Sequence, residues 1–211
     1  MFAPFHHVHM AGLPGMEDRT ITCSSLSKTY SITGWRLGYI IAPEEIIDRA
    51  KKVHDFLTVG CAAPLQEAVI PGLEFGQDYY DDLLAKYTHK KDLFLKGLDD
   101  LHISHNDPEG AYYVLLDISE YGYESALQFC KNLAREVGVG AVPGSSFFRE
   151  PVNHLIRLHF AKNDDTLNEA LNRLEKIQKQ TGLDVRVFED ALTFKIALMV
   201  ADHMKFIENR K

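Results

Sequence analysis

The chain has 211 residues, enough for one large domain or two small ones with a real core. Hydrophobic residues make up 45% and charged residues 25%, the balance of an ordinary globular protein, and the net charge of -7 argues against a nucleic-acid-binding surface. No apolar run approaches the ~20 residues that span a bilayer, and the opening MFAPFHHVHM lacks the basic stretch and apolar core of a secretory signal, so the expectation is a cytoplasmic protein with no membrane or nucleic-acid partner.

In chain order, the first ~18 residues read as irregular, broken by Pro4, Gly12, Pro14 and Gly15. Residues 20–24 are β-prone and predict a strand, and the apolar run 38–41 predicts a second, ending at Ala42-Pro43. From Glu44 to Leu57 the apolar positions Ile46, Ala50, Val53 and Leu57 fall on one helical face. A further helix is expected from about Ala63, kinked or ended by Pro71-Gly72. Residues 79–101 carry a long helical pattern suited to bridging two domains. The texture then changes: a strand at 111–116, a helix at 125–137 with Ser125 as N-cap and Gly138 as stop, and strands at 139–142 and 155–160. An Asp-capped amphipathic helix follows at 164–180, on Leu167, Leu171, Leu174 and Ile177. This order suggests a small α+β unit, after which residues 189–208 read as one more helix, docked through Leu192, Ile196, Met199, His203 and Phe206.

Three cysteines, Cys23, Cys61 and Cys130, are odd in number and far apart. They read as reduced thiols and as small buried side chains. His6, His7 and His9 cluster but have no carboxylate or cysteine at ligand spacing, so no metal site is expected.

The chemistry concentrates at residues 24–39, where a predicted strand runs into a loop of small residues holding a single lysine, Lys28, with Arg36 eight positions on. A lysine at a strand end in a crevice loses hydration, its pKa falls, and its free amine can attack a carbonyl to form a Schiff base. A phosphorylated aldehyde needs a second anchor for its dianion, and Ser25 offers a hydroxyl while Arg36 offers a planar bidentate fork. Singly, each residue has a bland reading: a solvated lysine, a structural ion pair, turn serines. Together they form an unusual pattern.

Ser25-Leu26-Ser27-Lys28 followed by Gly34-Trp35-Arg36-Leu37-Gly38 resembles the active-site signature of class I/II aminotransferases, the fold-type I pyridoxal-phosphate enzymes. The likeness continues at residues 64–68, 108–113 and 142–147, and at Leu155-Ile156-Arg157-Leu158-His159, and covers about Leu13 to Lys179. The resemblance implies an α/β fold: part of a large cofactor-binding domain, a remnant of a mostly parallel sheet, in residues 1–75, a linking helix in 76–102, an α+β small domain in 103–180 and an extra helical tail in 181–211. It implies a homodimeric aminotransferase that moves an amino group between an amino acid and a 2-oxo acid. Lys28 would hold pyridoxal 5'-phosphate, Ser25 and Arg36 its phosphate, and Arg157 the substrate α-carboxylate.

One departure stands out. The family's Asp-x-x-Tyr, which keeps the ring nitrogen protonated and contacts the cofactor oxygen, does not occur in residues 1–27. The upstream half that carries it is missing, which leaves the first two strands without a completed sheet and points to a truncation, a split-gene product or a short isoform. Two other readings therefore stand beside the aminotransferase: a non-catalytic module for dimerisation or regulation, and a pyridoxal-phosphate lyase.

Overall fold

The computed structural model describes residues 1–178. These divide into two compact units, one of residues 6–82 and the other of residues 1–5 together with those from Leu83 on. The docking helix expected at 189–208 lies outside the described residues.

The first unit is built on a hairpin. Strand β1, Thr22–Ser25, pairs antiparallel with β2, Gly38–Ile41, in the register Thr22↔Ile41 to Ser25↔Gly38. The sequence reading expected a remnant of a mostly parallel sheet. This pair is antiparallel because residues 26–37 turn back directly, with no crossover helix to carry the chain to the far end of the sheet. Helix α1, Glu44–Thr58, opens with Glu44 and Glu45 at the positive end of its dipole and closes at Val59, which takes a left-handed φ of 64°. Helix α2, Ala63–Leu73, has Pro64 in its first turn, where no amide hydrogen is missed, and continues two residues beyond Pro71 before ending. Leu26, Leu37 and Val69 form a small core, with Tyr30, Ile32, Trp35 and Leu65 packed on it. The apolar face read on α1 is only half covered: Ile46 and Ala50 are partly buried, while Val53 is 59% exposed and Leu57 75%.

Helix α3, Gln77–Asp100, starts in this unit and buries Phe94, Leu95 and Leu98 in the second. There, β3, Tyr113–Asp117, and β4, Val142–Pro143, flank β5, Leu155–His159, in an antiparallel sheet of order β3-β5-β4. Strand alternation sends Val114, Leu116, Ile156 and Leu158 into the core, and leaves Leu115, Arg157 and His159 on the other face. The strand expected at 139–142 is replaced by a shorter one, Val142–Pro143, which pairs with β5 only at Arg157 and Ile156.

Helix α4, Ala126–Asn132, passes into one wider π turn, Leu133–Val137, and stops at Gly138, φ 76°. Ser125 stands at the N-cap but its hydroxyl makes no capping bond. Helix α5, Asp164–Gln178, is capped by Asn163 rather than by an aspartate: the Thr166 amide donates to Asn163 Oδ1 at 2.9 Å, while Asp164 faces His89 Nε2 at 2.8 Å. At Gly97 a Cβ would meet Leu171 Cδ1 at 2.2 Å, so the bare glycine lets α3 lie close against α5. Phe2 joins this core, its amide donating to the Glu109 carbonyl at 2.8 Å and its ring 6.2 Å from that of Phe160. Of the three cysteines only Cys130 is buried; Cys23 and Cys61 are exposed, contrary to the sequence expectation. Cys23 lies on a two-stranded sheet and Cys61 in a loop, and neither is covered by a second layer. Among the described residues no helix is long and apolar enough to cross a membrane.

Candidate active site

The hairpin decides where the signature residues go. Ser25 is the last residue of β1 and stands opposite Gly38, the first of β2. The connecting segment 26–37 is tied across its base by the Leu26 amide donating to the Leu37 carbonyl at 3.2 Å. Leu26 and Leu37 are buried as its hydrophobic foot, which leaves Lys28 and Arg36 exposed on the same short loop. Gly38 is required: a Cβ there would lie 2.6 Å from the Ser24 carbonyl oxygen, so the two strands close only because the side chain is absent.

Within the loop, the Ser25 hydroxyl accepts from the Ser27 amide at 3.2 Å, which leaves its own O–H free to donate. Thr33 donates its hydroxyl to the Ser27 carbonyl at 3.2 Å. Arg36 has a left-handed backbone, φ 58°, a conformation costing on the order of 1–3 kcal/mol outside glycine. Its Nη1 donates to the Thr33 carbonyl at 3.0 Å. Neither Lys28 nor Arg36 has a carboxylate partner among the described residues. Between Asp18 and Glu44 the chain carries Arg19, Lys28 and Arg36 and no acidic residue, although the whole molecule is acidic. A hydroxyl, an unpaired amine and a guanidinium on one loop are the donor set that a dianionic ester bearing a carbonyl calls for.

Arg157 belongs to the other unit. It is half-buried at the centre of β5, opposite Leu115 on one side and Val142 on the other. Its guanidinium carbon lies 3.7 Å from the Phe147 ring centre and 4.1 Å from that of Tyr113, and it forms no salt bridge among the described residues. Rings on a guanidinium hold its plane while leaving the edge donors unused. Nearby, His159 is depressed below the usual histidine range by burial and by the charges of Lys162 and Arg157. The Tyr112 phenol is pushed up to about 12 by burial and by its hydrogen bond with Tyr113. The structure thus brings Ser25, Lys28 and Arg36 onto one hairpin and sets Arg157 in the second unit between two aromatic rings.

Comparisons with known proteins supply the family. The family model described as aminotransferase class I and II matches residues 5–174. The chain belongs to that family. It is 32% identical over 190 residues to a probable N-succinyldiaminopimelate aminotransferase of Mycobacterium tuberculosis, covering 85% of this chain and 48% of that protein. It is 35% identical over 177 residues to the methionine aminotransferase of Escherichia coli, covering 83% and 46%. Among solved structures, N-succinyldiaminopimelate aminotransferase from M. tuberculosis superposes with a TM-score of 0.77 at 34% identity, over 83% of this chain and 46% of that one. The fold is therefore α/β with partial sheets, as the resemblance implied. The chain spans about half the length of the relatives it matches. Members of this family generally depend on pyridoxal phosphate, and the donor set on the hairpin suits that group.

Sequence reasoning passed over Tyr79 and Tyr80, which touch the lysine loop from 50 residues away. Tyr113 and Phe147 fell inside quoted motifs without a role. No local spacing announces such contacts.

Proposed function

We propose that this chain carries the lysine-bearing part of a pyridoxal-phosphate aminotransferase that moves an amino group between an amino acid and a 2-oxo acid. The carrying observation is the hairpin that holds Ser25, Lys28 and Arg36 together, with both cations free of carboxylates. When bound, pyridoxal phosphate supplies an aldehyde that condenses with amines and a ring that draws electrons from the bonds around the substrate α-carbon. Lys28 would hold that group through Nζ and, when the amine is free, would take the proton from the substrate α-carbon as a general base. Ser25 would donate its hydroxyl to the phosphate, and Arg36 would grip it with a permanently charged fork. Arg157 holds the substrate α-carboxylate edge-on, its plane braced by Tyr113 and Phe147, which limits the orientations from which the α-proton leaves.

Residues 1–75 then serve as part of the large cofactor-binding domain, 76–102 as the linking helix, 103–180 as the small domain and 181–211 as an added tail. Working as a homodimer in the cytoplasm completes this reading.

The test is titration of the chain with pyridoxal phosphate, borohydride reduction and peptide mapping, followed by transamination assays over a panel of amino acids. Saturable yellow colour and a reduced adduct on Lys28 are expected, both lost in Lys28→Ala. A Lys28→Ala chain that transaminates as well as the unaltered one would refute the reading. Arg157→Lys keeps the charge but loses the fork, so it should raise KM for the amino acid about tenfold or more and leave the adduct on Lys28 unchanged.

A further inference from the structure

The turn that carries Lys28 is weakly held by its own backbone. The Tyr30 amide reaches the Leu26 carbonyl at 3.4 Å and the Ser31 amide the Lys28 carbonyl at 3.2 Å, and Ser31 takes a left-handed φ of 57°. The shortest bond to this turn comes from elsewhere. Tyr79, in the first turn of α3, donates its hydroxyl to the Thr29 carbonyl at 2.6 Å, one residue past the lysine. Beside it, the Tyr30 and Tyr80 hydroxyls lie 2.9 Å apart. The rings back these bonds: Tyr30 stacks on Tyr79 with centres 6.0 Å apart, and Phe75 lies 4.6 Å from Tyr79. At Gly72 a Cβ would stand 3.3 Å from the Tyr30 ring, so the glycine leaves room for that ring against α2.

We propose that Tyr79 and Tyr80 are positioning residues for Lys28, clamping the turn at Thr29 and Tyr30 so that the lysine backbone is ordered before any carbonyl arrives. The proposal rests on the reading of Lys28 as the carbonyl-reactive amine. A lysine on a loosely held surface turn must surrender backbone freedom each time it reacts, and a turn already pinned on its C-terminal side has less to lose. The Tyr30 phenol is pushed up to about 12, first by its hydrogen bond with Tyr80 and then by burial, so the pair persists across the physiological range. Neither tyrosine touches the reacting atoms: Tyr79 acts through the Thr29 carbonyl and Tyr80 through the Tyr30 hydroxyl.

The test uses the full chain in four forms: unaltered, Tyr79→Phe, Tyr80→Phe and Lys28→Ala. Phenylalanine keeps the ring packing and removes only the hydroxyl, so a purely structural role of the rings would move neither readout. The first readout is amide hydrogen exchange over residues 28–31. The second is the rate at which pyridoxal phosphate becomes borohydride-trapped on Lys28, located by peptide mass.

Tyr79→Phe should quicken exchange over residues 28–31 about five- to tenfold, the loss of one hydrogen bond, and leave residues 94–98 of α3 unchanged. It should slow trapping on Lys28 about threefold or more. Tyr80→Phe should act in the same direction, more weakly, and keeps the test alive should Tyr79→Phe not fold. Unaltered exchange and trapping in both phenylalanine variants, with the unaltered chain trapping normally on Lys28, would overturn the clamp alone. Trapping at other lysines and not at Lys28 in the unaltered chain would overturn the lysine reading, and the clamp's purpose with it.

Discussion

The signature contains two glycines, and the structure separates them. At Gly38 an added Cβ meets the Ser24 carbonyl oxygen at 2.6 Å, a backbone atom that cannot swing away. At Gly34 nothing lies within 4 Å, and no left-handed conformation is needed. Gly38→Ala must therefore push β1 from β2 at the level of Ser25, an overpacking cost of about 1–3 kcal/mol. Gly34→Ala should be neutral or stabilising by ~0.4–1 kcal/mol, because it narrows the unfolded ensemble without strain in the folded one. The two variants should thus differ by roughly 1–4 kcal/mol. Trp35 is the only tryptophan in the chain and packs on the small core of this unit, so its fluorescence during urea unfolding reports on the hairpin itself. With a slope of about 1–3 kcal/mol per molar urea, the midpoints should stand about 1 M apart. Equal midpoints, or a Gly34→Ala chain as destabilised as Gly38→Ala, would refute the steric argument. The trapping assay gives a second measure: Gly38→Ala should weaken adduct formation on Lys28 by moving Ser25, and Gly34→Ala should not.

Other consequences are as direct. Phe160 is fully buried in the core of the second unit, so Phe160→Ala should cost about 3–5 kcal/mol, read as a fall in the calorimetric midpoint. Two of the three thiols should react at once with an aromatic disulfide reagent and the third only in denaturant, since Cys23 and Cys61 are exposed while burial pushes the Cys130 thiol up to about 12. Burial holds His159 below its usual pKa, so the unfolded chain takes the proton first as pH falls. Its contribution is intact above about 6.5 and lost as pH drops from there through the lower folded value; His159→Gln should flatten that part of the stability–pH curve in urea titrations.

Much of this protein follows from local chemistry. The lysine segment was legible because its parts are close in sequence: a β-prone run, small residues, one amine and a guanidinium eight positions on; that its two strands pair with each other as a hairpin was not. Helices α1, α2, α3 and α5 follow from apolar periodicity, and the stop at Gly138 from a residue that accepts φ 76° without strain. The net charge of -7 could be counted without any fold, because charge is a property of the whole chain.

What the tertiary structure decided depends on residues far apart in the chain. Periodicity named the apolar face of α1, but only packing shows that Ile46 is half covered while Val53 and Leu57 stand in solvent. The same holds for Cys23 and Cys61, which are exposed although the sequence around them suggested burial. Asn163 capped α5 where an aspartate was expected because side-chain geometry, not residue type, selects between adjacent candidates. Tyr79 reaches Thr29, and Phe147 and Tyr113 brace Arg157, only after folding brings distant elements together. Sequence specifies what each segment can form; which side chains then meet is set by packing, since a contact's energy depends on distance in space and not on position along the chain.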